Sequence, residues 1–288
     1  MRVQDVVAVT EHFTLANVRC SAPVSELWSE PEPMSCHALV FLQQGLYTRR
    51  VGGVDQVVDT TTAYFERPGM EQQVSHPRGG DICTTIALSD DLLASIAGGD
   101  PDPGPDLAMI DPRVAVGLGL LMRSARGGDV GGDVTERLVT LLALLITQRA
   151  PGRVAAGRPS TIRDRRRIVD ETRLLLNSSP TLSLIDLAAA VGYSPHHLSR
   201  VFKDLIGTSV SRYRNLLRVR EAVARLDDGH DDLSGLAAEL GFADHAHLTR
   251  TVGALTGFAP SVLRRALREE PSPTVRQVPS PSQQRDAR

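Results

Sequence analysis

Residues 184–208 read LIDLAAAVGYSPHHLSRVFKDLIGT, and residues 233–258 read LSGLAAELGFADHAHLTRTVGALTGF. The second stretch repeats the first. Leu187-Ala188-Ala189 returns as Leu236-Ala237-Ala238 and Gly192-Tyr193 as Gly241-Phe242, 49 residues later. After one extra residue in the turn, Leu198-Ser199-Arg200 returns as Leu248-Thr249-Arg250 and Gly207 as Gly257, 50 residues later. Each copy predicts a short helix, a Gly-aromatic turn and a second helix, the order of a helix-turn-helix. Glycine supplies a turn conformation that other residues resist. Ser194 stands where an N-cap is wanted, with Pro195 at the first helical position, and Asp244 is the cap of the second copy.

Within the second helix of copy one, Leu198, Val201, Phe202 and Leu205 fall on one face, while His196, Ser199, Arg200 and Lys203 share the opposite face. The corresponding outward positions in copy two are Ala246, Thr249, Arg250 and Gly253, with His245 and His247 beside them. A third helix, near 210–226, joins the copies. Leu216, Val219, Val223 and Leu226 form its apolar stripe, and Arg212, Arg214, Arg218, Arg220 and Arg225 occupy the rest, with Arg218 predicted to pair with Glu221 or a nearby acid.

Outward from the repeat, charge divides the chain. Residues 1–160 carry a net charge of −6 and residues 161–268 a net charge of +4, within an overall −2 for 288 residues. An acidic front joined to a basic back suits a sensor linked to a module that binds a polyanion. An apolar share of 41% and a charged share of 23% fit a soluble globular protein rather than a disordered chain. No run of about 18 apolar residues marks a membrane span. Residues 1–10 lack a basic start followed by an apolar stretch, so a cytoplasmic location is expected.

The front half predicts short strands at 38–42, 61–65 and 81–87, with a Gly-Gly hairpin at Val51–Val54. That spacing suggests a small sandwich or barrel. Two helices follow, near 112–123 and 134–148. In the second, Leu138, Leu141, Leu142 and Leu145 form an apolar stripe that is either a homodimer seam or the face packed on its own barrel. Residues 151–162 read as a linker and 269–288 as a disordered tail, leaving domains at 1–150 and 163–268.

The repeat and its surroundings resemble the tandem helix-turn-helix domain of the AraC/XylS family of bacterial transcription regulators. The resemblance rests on Leu187-Ala188, Gly192, Ser194, Leu198-Ser199-Arg200, Phe202-Lys203, Gly207, Arg218, Gly241-Phe242, Leu248, Arg250, Gly257, Pro260 and Arg264. It implies an α+β multidomain chain, with a cupin-like β-barrel or sandwich and following helices in front and an all-α domain with two helix-turn-helix units behind. It further implies double-stranded DNA as partner, a small-molecule effector, and RNA polymerase if the protein activates transcription. The positions that would meet DNA are His196, His197, Ser199, Arg200 and Lys203 in the first unit, and His245, Ala246, Thr249 and Arg250 in the second. Arg200 suits bidentate contact with guanine and Lys203 a phosphate. Copy two has lost the first histidine and the lysine, and Val252 replaces the aromatic that Phe202 supplies. The first unit is therefore expected to read bases and the second mainly to clamp backbone. The spacer would set the two helices about 34 Å apart, one DNA turn.

Cys20, Cys36, His37, His76 and Cys83 all lie in the front half and are candidate zinc ligands or redox-sensing thiols. Their spacings match no local metal motif, so the thiols read as buried structural residues, with no cofactor. No nucleophile triad, phosphate-binding loop of the GxxxxGK[ST] type or HExxH pattern is present, and an enzyme is not expected. The alternatives are a metal- or thiol-dependent sensor or enzyme of cupin type carrying the DNA-binding domain, and an architectural DNA binder without ligand.

Overall fold

The structure, a computed structural model, describes residues 1–97, 107–127, 132–147 and 159–268. The tail at 269–288 and most of the predicted linker lie outside the described residues.

The front half is a sandwich of two antiparallel sheets. One has the order β1-β2-β9-β4-β7-β10, built from Arg2–Val9, Phe13–Cys20, Asp81–Leu88, His37–Gln44, Thr62–Glu66 and Leu107–Met109. The other has the order β3-β8-β5-β6, built from Glu32–Pro33, Glu71–Ser75, Leu46–Val51 and Val54–Asp59. The predicted hairpin is present. Val51 pairs with Val54, and Gly52 and Gly53 both take positive φ, 54° and 75°, as a two-residue primed turn requires.

Beyond a short helix, α1 (Asp90–Ala97), lie α2 (Pro112–Arg126) and α3 (Gly132–Thr147). Asp111 caps α2, accepting from the Arg113 N–H at 2.9 Å. Of the two readings of the leucine stripe of α3, the structure shows the face packed on its own barrel. Leu138, Leu141 and Leu142 are buried against Phe13, Leu15, Phe41 and Ile86 of the sandwich and Leu118 and Leu121 of α2. A face already covered this way removes its apolar area from water within one chain.

The back half is helical: α4 (Pro159–Ser178), α5 (Leu184–Ala190), α6 (Pro195–Ile206), α7 (Val210–Asp227), α8 (Leu233–Glu239), α9 (His245–Thr256) and α10 (Pro260–Arg268). Because α4 starts at Pro159, residues 159–162 are helix rather than linker. The first unit shares a core of Ile168, Leu176, Leu187, Leu198, Phe202 and Tyr213. The second is built on Val219, Leu226, Leu236, Leu248, Val252 and Leu263, and Val116 of α2 joins it. The boundary between halves is therefore not clean. Arg123 of α2 also donates to the Ala266 carbonyl of α10 at 2.9 Å.

One buried carboxylate ties the sandwich to the first unit. Asp59, at the end of β6, is fully buried. Its Oδ2 accepts from Arg173 Nη2 at 2.9 Å and Nε at 3.1 Å, from Asn177 at 3.3 Å and from the Tyr213 hydroxyl. Its Oδ1 accepts from the Thr61 N–H at 2.9 Å and hydroxyl at 2.6 Å. Burial alone would raise its pKa. The Arg173 charge and the bonds from Thr61 and Tyr213 outweigh burial and hold the carboxyl below its ordinary value of 3.8.

Removing one partner of such a pair strands the other charge in the interior. Asp59→Ala is expected to lower unfolding stability by about 3–5 kcal/mol, and the double variant Asp59→Ala/Arg173→Met to recover much of that loss. A folded-state pKa below the unfolded value gives stability that is complete above the unfolded value and lost as pH falls through the folded one. Urea melts should therefore show the gap between wild type and Asp59→Ala at neutral pH and its shrinkage below about pH 4; a gap unchanged at low pH would refute the assignment.

Candidate nucleic-acid interface

Both repeat copies end their first helix in the same way. Gly192 and Gly241 take φ of 78° and 72°. Tyr193 N–H bonds the Ala188 carbonyl and Gly192 N–H the Ala189 carbonyl; Phe242 with Ala237 and Gly241 with Ala238 repeat the pair. This is the Schellman closure, which satisfies carbonyls a helix end would leave bare. The following helices start on side-chain caps. Ser194 accepts from the His197 N–H at 3.2 Å, and Asp244 from the His247 N–H at 2.6 Å. Pro195 occupies the first turn of α6, and Gly207 and Gly257 end α6 and α9 in left-handed conformation.

These ends fix which face each second helix buries. Leu198, Val201 and Phe202 of α6 are buried, as are Leu248, Val252 and Leu255 of α9. Phe202 meets the Tyr213 ring edge-on at 5.3 Å. On the outer side of α6, His196, Arg200 and Lys203 are exposed and Ser199 is half-buried. On α9, His245, Ala246 and Arg250 are exposed and Thr249 is half-buried, its hydroxyl 3.4 Å from His245 Nε2. His197 departs from this pattern. Its half-buried ring stacks on Tyr193 with centroids 5.0 Å apart, and Arg200 Nη2 lies 3.5 Å from its Nδ1. His247 occupies the matching place in copy two. It packs edge-on against Phe242 at 5.4 Å and accepts from the Ala243 N–H at 3.2 Å. Both histidines brace the turn aromatic, which the sequence pattern did not reveal.

Most arginines of the spacer helix face inward. Arg220 is buried and reaches the Leu42 carbonyl of β4 at 3.3 Å; burial pushes its pKa down to about 10. Arg218 donates to the Pro180 carbonyl at 3.1 Å rather than pairing with Glu221, and Arg214 to the Leu182 carbonyl. Burial lowers the pKa of both guanidinium groups, and for Arg218 the neighbouring Arg214 charge adds to it. Glu221 instead pairs with Arg225 at 2.8 Å. Arg212 is exposed. Arg264 and Arg268 both pair with Asp231.

In the front half, the zinc candidates separate. Cys20 and His76 come together, joined by Asp81. Buried Cys83 lies beside them, its Sγ 3.2 Å from Asp81 Oδ1. Cys36 is exposed, and His37 packs on Phe65 and faces Asp90, so neither joins this group. A cavity of about 110 Å³ between the sheets borders the cluster. A larger cleft of about 680 Å³ opens between sandwich and helices, with Gly45, Thr60, Arg78, Asn177, Arg218 and Glu221 among its walls. No described helix is long and apolar enough to cross a membrane.

Residues 187–266 match the model of a helix-turn-helix domain family. The HTH-type transcriptional regulator Rv1931c of Mycobacterium tuberculosis is 32% identical over 81 residues, 28% of this chain and 31% of that protein. The multiple antibiotic resistance protein MarA of Escherichia coli is 33% identical over 75 residues, 26% of this chain and 59% of MarA. The chain spans about a third of the length of the first curated relatives it matches. Among solved structures, ToxT from Vibrio cholerae covers 90% of this chain and 99% of its own, at 12% identity and a TM-score of 0.36. Two Schellman-closed turns, two capped helices with exposed polar faces and the matched family model together identify residues 187–266 as a tandem helix-turn-helix domain.

Proposed function

We propose that the protein is a sequence-specific, DNA-binding transcription regulator in which the sandwich senses a signal and the two helix-turn-helix units grip neighbouring major grooves. The observation that carries this reading is the pair of equivalent polar faces on α6 and α9, each held outward by a buried stripe on its opposite side. An α-helix fits the major groove, where an arginine fork reads guanine and a lysine holds phosphate. In this reading His196, Ser199, Arg200 and Lys203 supply base and backbone contacts. Thr249 and Arg250 supply a clamp, with His245 and Ala246 at its entrance. His197 positions the turn and Arg200 rather than reading a base. Double-stranded DNA is the partner, and RNA polymerase a second one if the protein activates.

A small-molecule effector fits the cleft between sandwich and helices, whose volume lies in the range of ligand sites. The cavity inside the sandwich falls below that range. Occupancy of the cleft would shift the chain between domain arrangements only if the effector contacts one arrangement better than the other.

The two units predict different losses. On a site selected by the full chain from a random duplex library, Arg200→Ala should cost about 1–3 kcal/mol and relax preference at one position. Lys203→Ala should weaken all sequences alike and reduce the salt slope by about 1. Arg250→Ala should weaken binding with little change in preference. Anisotropy titrations at several salt concentrations distinguish these cases; loss of preference with Arg250→Ala and none with Arg200→Ala would reverse the roles of the units.

Copy two also predicts a gain. A side chain at Gly253, the position matching Lys203, meets only the Phe258 carbonyl, 4.0 Å from the added Cβ. Gly253→Lys should raise stability by up to about 1 kcal/mol through helix propensity and steepen the salt slope of binding by about 1. Tighter binding without a steeper slope would mean that this face does not approach phosphate.

A further inference from the structure

We infer that Cys20, His76 and Asp81 form a binding site for a thiophilic divalent cation, with zinc as the natural fit. The inference rests on the sandwich alone and is independent of the DNA-binding reading. Three separate segments converge to make the cluster. Cys20 ends β2 and Asp81 begins β9, and the two are direct register partners across the β2–β9 pair. His76 follows β8 and is fixed by an isolated bridge to Ser25. One ligand atom from each of the three lies within 4.8 Å of the other two, a separation short enough for one ion to touch all three at about 2.0–2.3 Å.

The loop that carries His76 to Asp81 is built to hold this approach. Gly79 takes φ of 88°, and a Cβ at Gly80 would stand 2.3 Å from the Cys20 carbonyl oxygen. A Cβ at Gly45, in the turn between β4 and β5, would stand 2.7 Å from the Gly80 carbonyl oxygen. The loop is therefore pressed between two neighbouring segments, with glycine at each close approach. Its ligands are also oriented from behind. The Cys83 thiol lies 3.2 Å from Asp81 Oδ1. The Tyr47 ring packs on the His76 ring at 6.0 Å. Outer contacts of this kind are what orient the ligands of a metal site.

The donor set selects the ion. Thiolate and imidazole disfavour magnesium and calcium, which take oxygen. Sulfur, nitrogen and one carboxylate oxygen suit zinc, and three protein ligands leave a fourth tetrahedral position for water or a small anion. The sequence hid this set because Asp81 carries no motif and Cys36 and His37, which seemed equal candidates, lie elsewhere.

The test uses the full chain, reduced, stripped with chelator and dialysed against zinc or cobalt(II). One equivalent of zinc should be retained per chain. Cobalt(II) should give the near-ultraviolet charge-transfer absorption of a thiolate ligand, and the melting temperature should rise with added metal. Cys20→Ser and His76→Gln should each weaken zinc binding by more than about 100-fold, beyond the 10–100-fold typical of an outer-shell partner. Cys83→Ser should fall within that outer-shell range, and Cys36→Ser should leave binding unchanged. Zinc retained by Cys20→Ser, dependence on Cys36, or wild-type cobalt spectra without a thiolate band would overturn the site. Because the wild-type spectrum needs no variant, a substitution that fails to fold does not shelter the inference.

Discussion

Asp59 sits where no water reaches, and its partners come from its own strand connection and from two distant helices. An ionised carboxylate in such a place costs several kcal/mol unless its lone pairs are filled and its charge is met. Thr61 fills one oxygen from the same strand connection; Arg173, Asn177 and Tyr213 fill the other from α4 and α7. The sandwich can therefore close this corner only with the first helix-turn-helix unit in place. The pair adds little net stability over an apolar substitute. Its effect is orientational: it fixes α4 and α7, and through them α6, relative to the sheets. Any signal that reorients the sandwich must either carry these helices with it or leave the Asp59 charge uncovered.

The second unit is anchored chiefly by packing, with Arg123 of α2 bonding the Ala266 carbonyl beside it. Val116 of α2 enters the core beneath α9, and the added Cβ of a residue at Gly119 would meet Leu267 at 3.0 Å. The core beneath α9 is thus built differently from the core beneath α6, with Val252 where α6 has Phe202. In the first unit the aromatic fills the space against Tyr213. In the second, Val252 shares its buried core with Leu263, Leu267 and Val116, which lie outside the repeat. The copies share a backbone plan and solve the core differently, so a smaller residue at 252 does not imply a void. The two anchors also differ in kind: a buried charge cluster is intolerant of partial separation, whereas an apolar contact can slide at lower cost.

The repeat was legible because it is local. Caps, left-handed glycines and the 3.6-residue apolar stripe act within one turn, and Ser194, Gly192 and Phe202 each keep the role their neighbours dictate. The central strands and the Gly-Gly hairpin were legible for the same reason. The outer strands were not. β1 reads RVQDVVAV and is exposed over most of its length, so it lacks the one-sided burial that produces alternation. β8 buries Gln72 and Ser75, residues that resemble loop until Gln72 is seen to donate to Glu66 at 3.0 Å. Long-range chemistry left no trace at all. Asp59 and Arg173 are 114 residues apart, and the pairing of Cys20 with Asp81 follows from strand order, which one-dimensional periodicity does not encode.

Charge shows why the distinction matters for DNA. A net of +4 over residues 161–268 suggests a broadly basic surface, but much of that charge is spent inside the protein. Arg173 and Arg220 are buried, Arg214 and Arg218 hold the carbonyls of the loop before α5, and Arg225, Arg264 and Arg268 are paired with acids. Arg163, Arg166, Arg200, Lys203, Arg212 and Arg250 are exposed and form no ion pair among the described residues. Nonspecific attraction to a duplex scales with phosphates neutralised, so these outward charges, rather than the net charge of the sequence, set how much of it the domain can gain. In the proposed reading, sequence preference then falls to the few side chains of α6 and α9 that the caps and buried stripes hold outward.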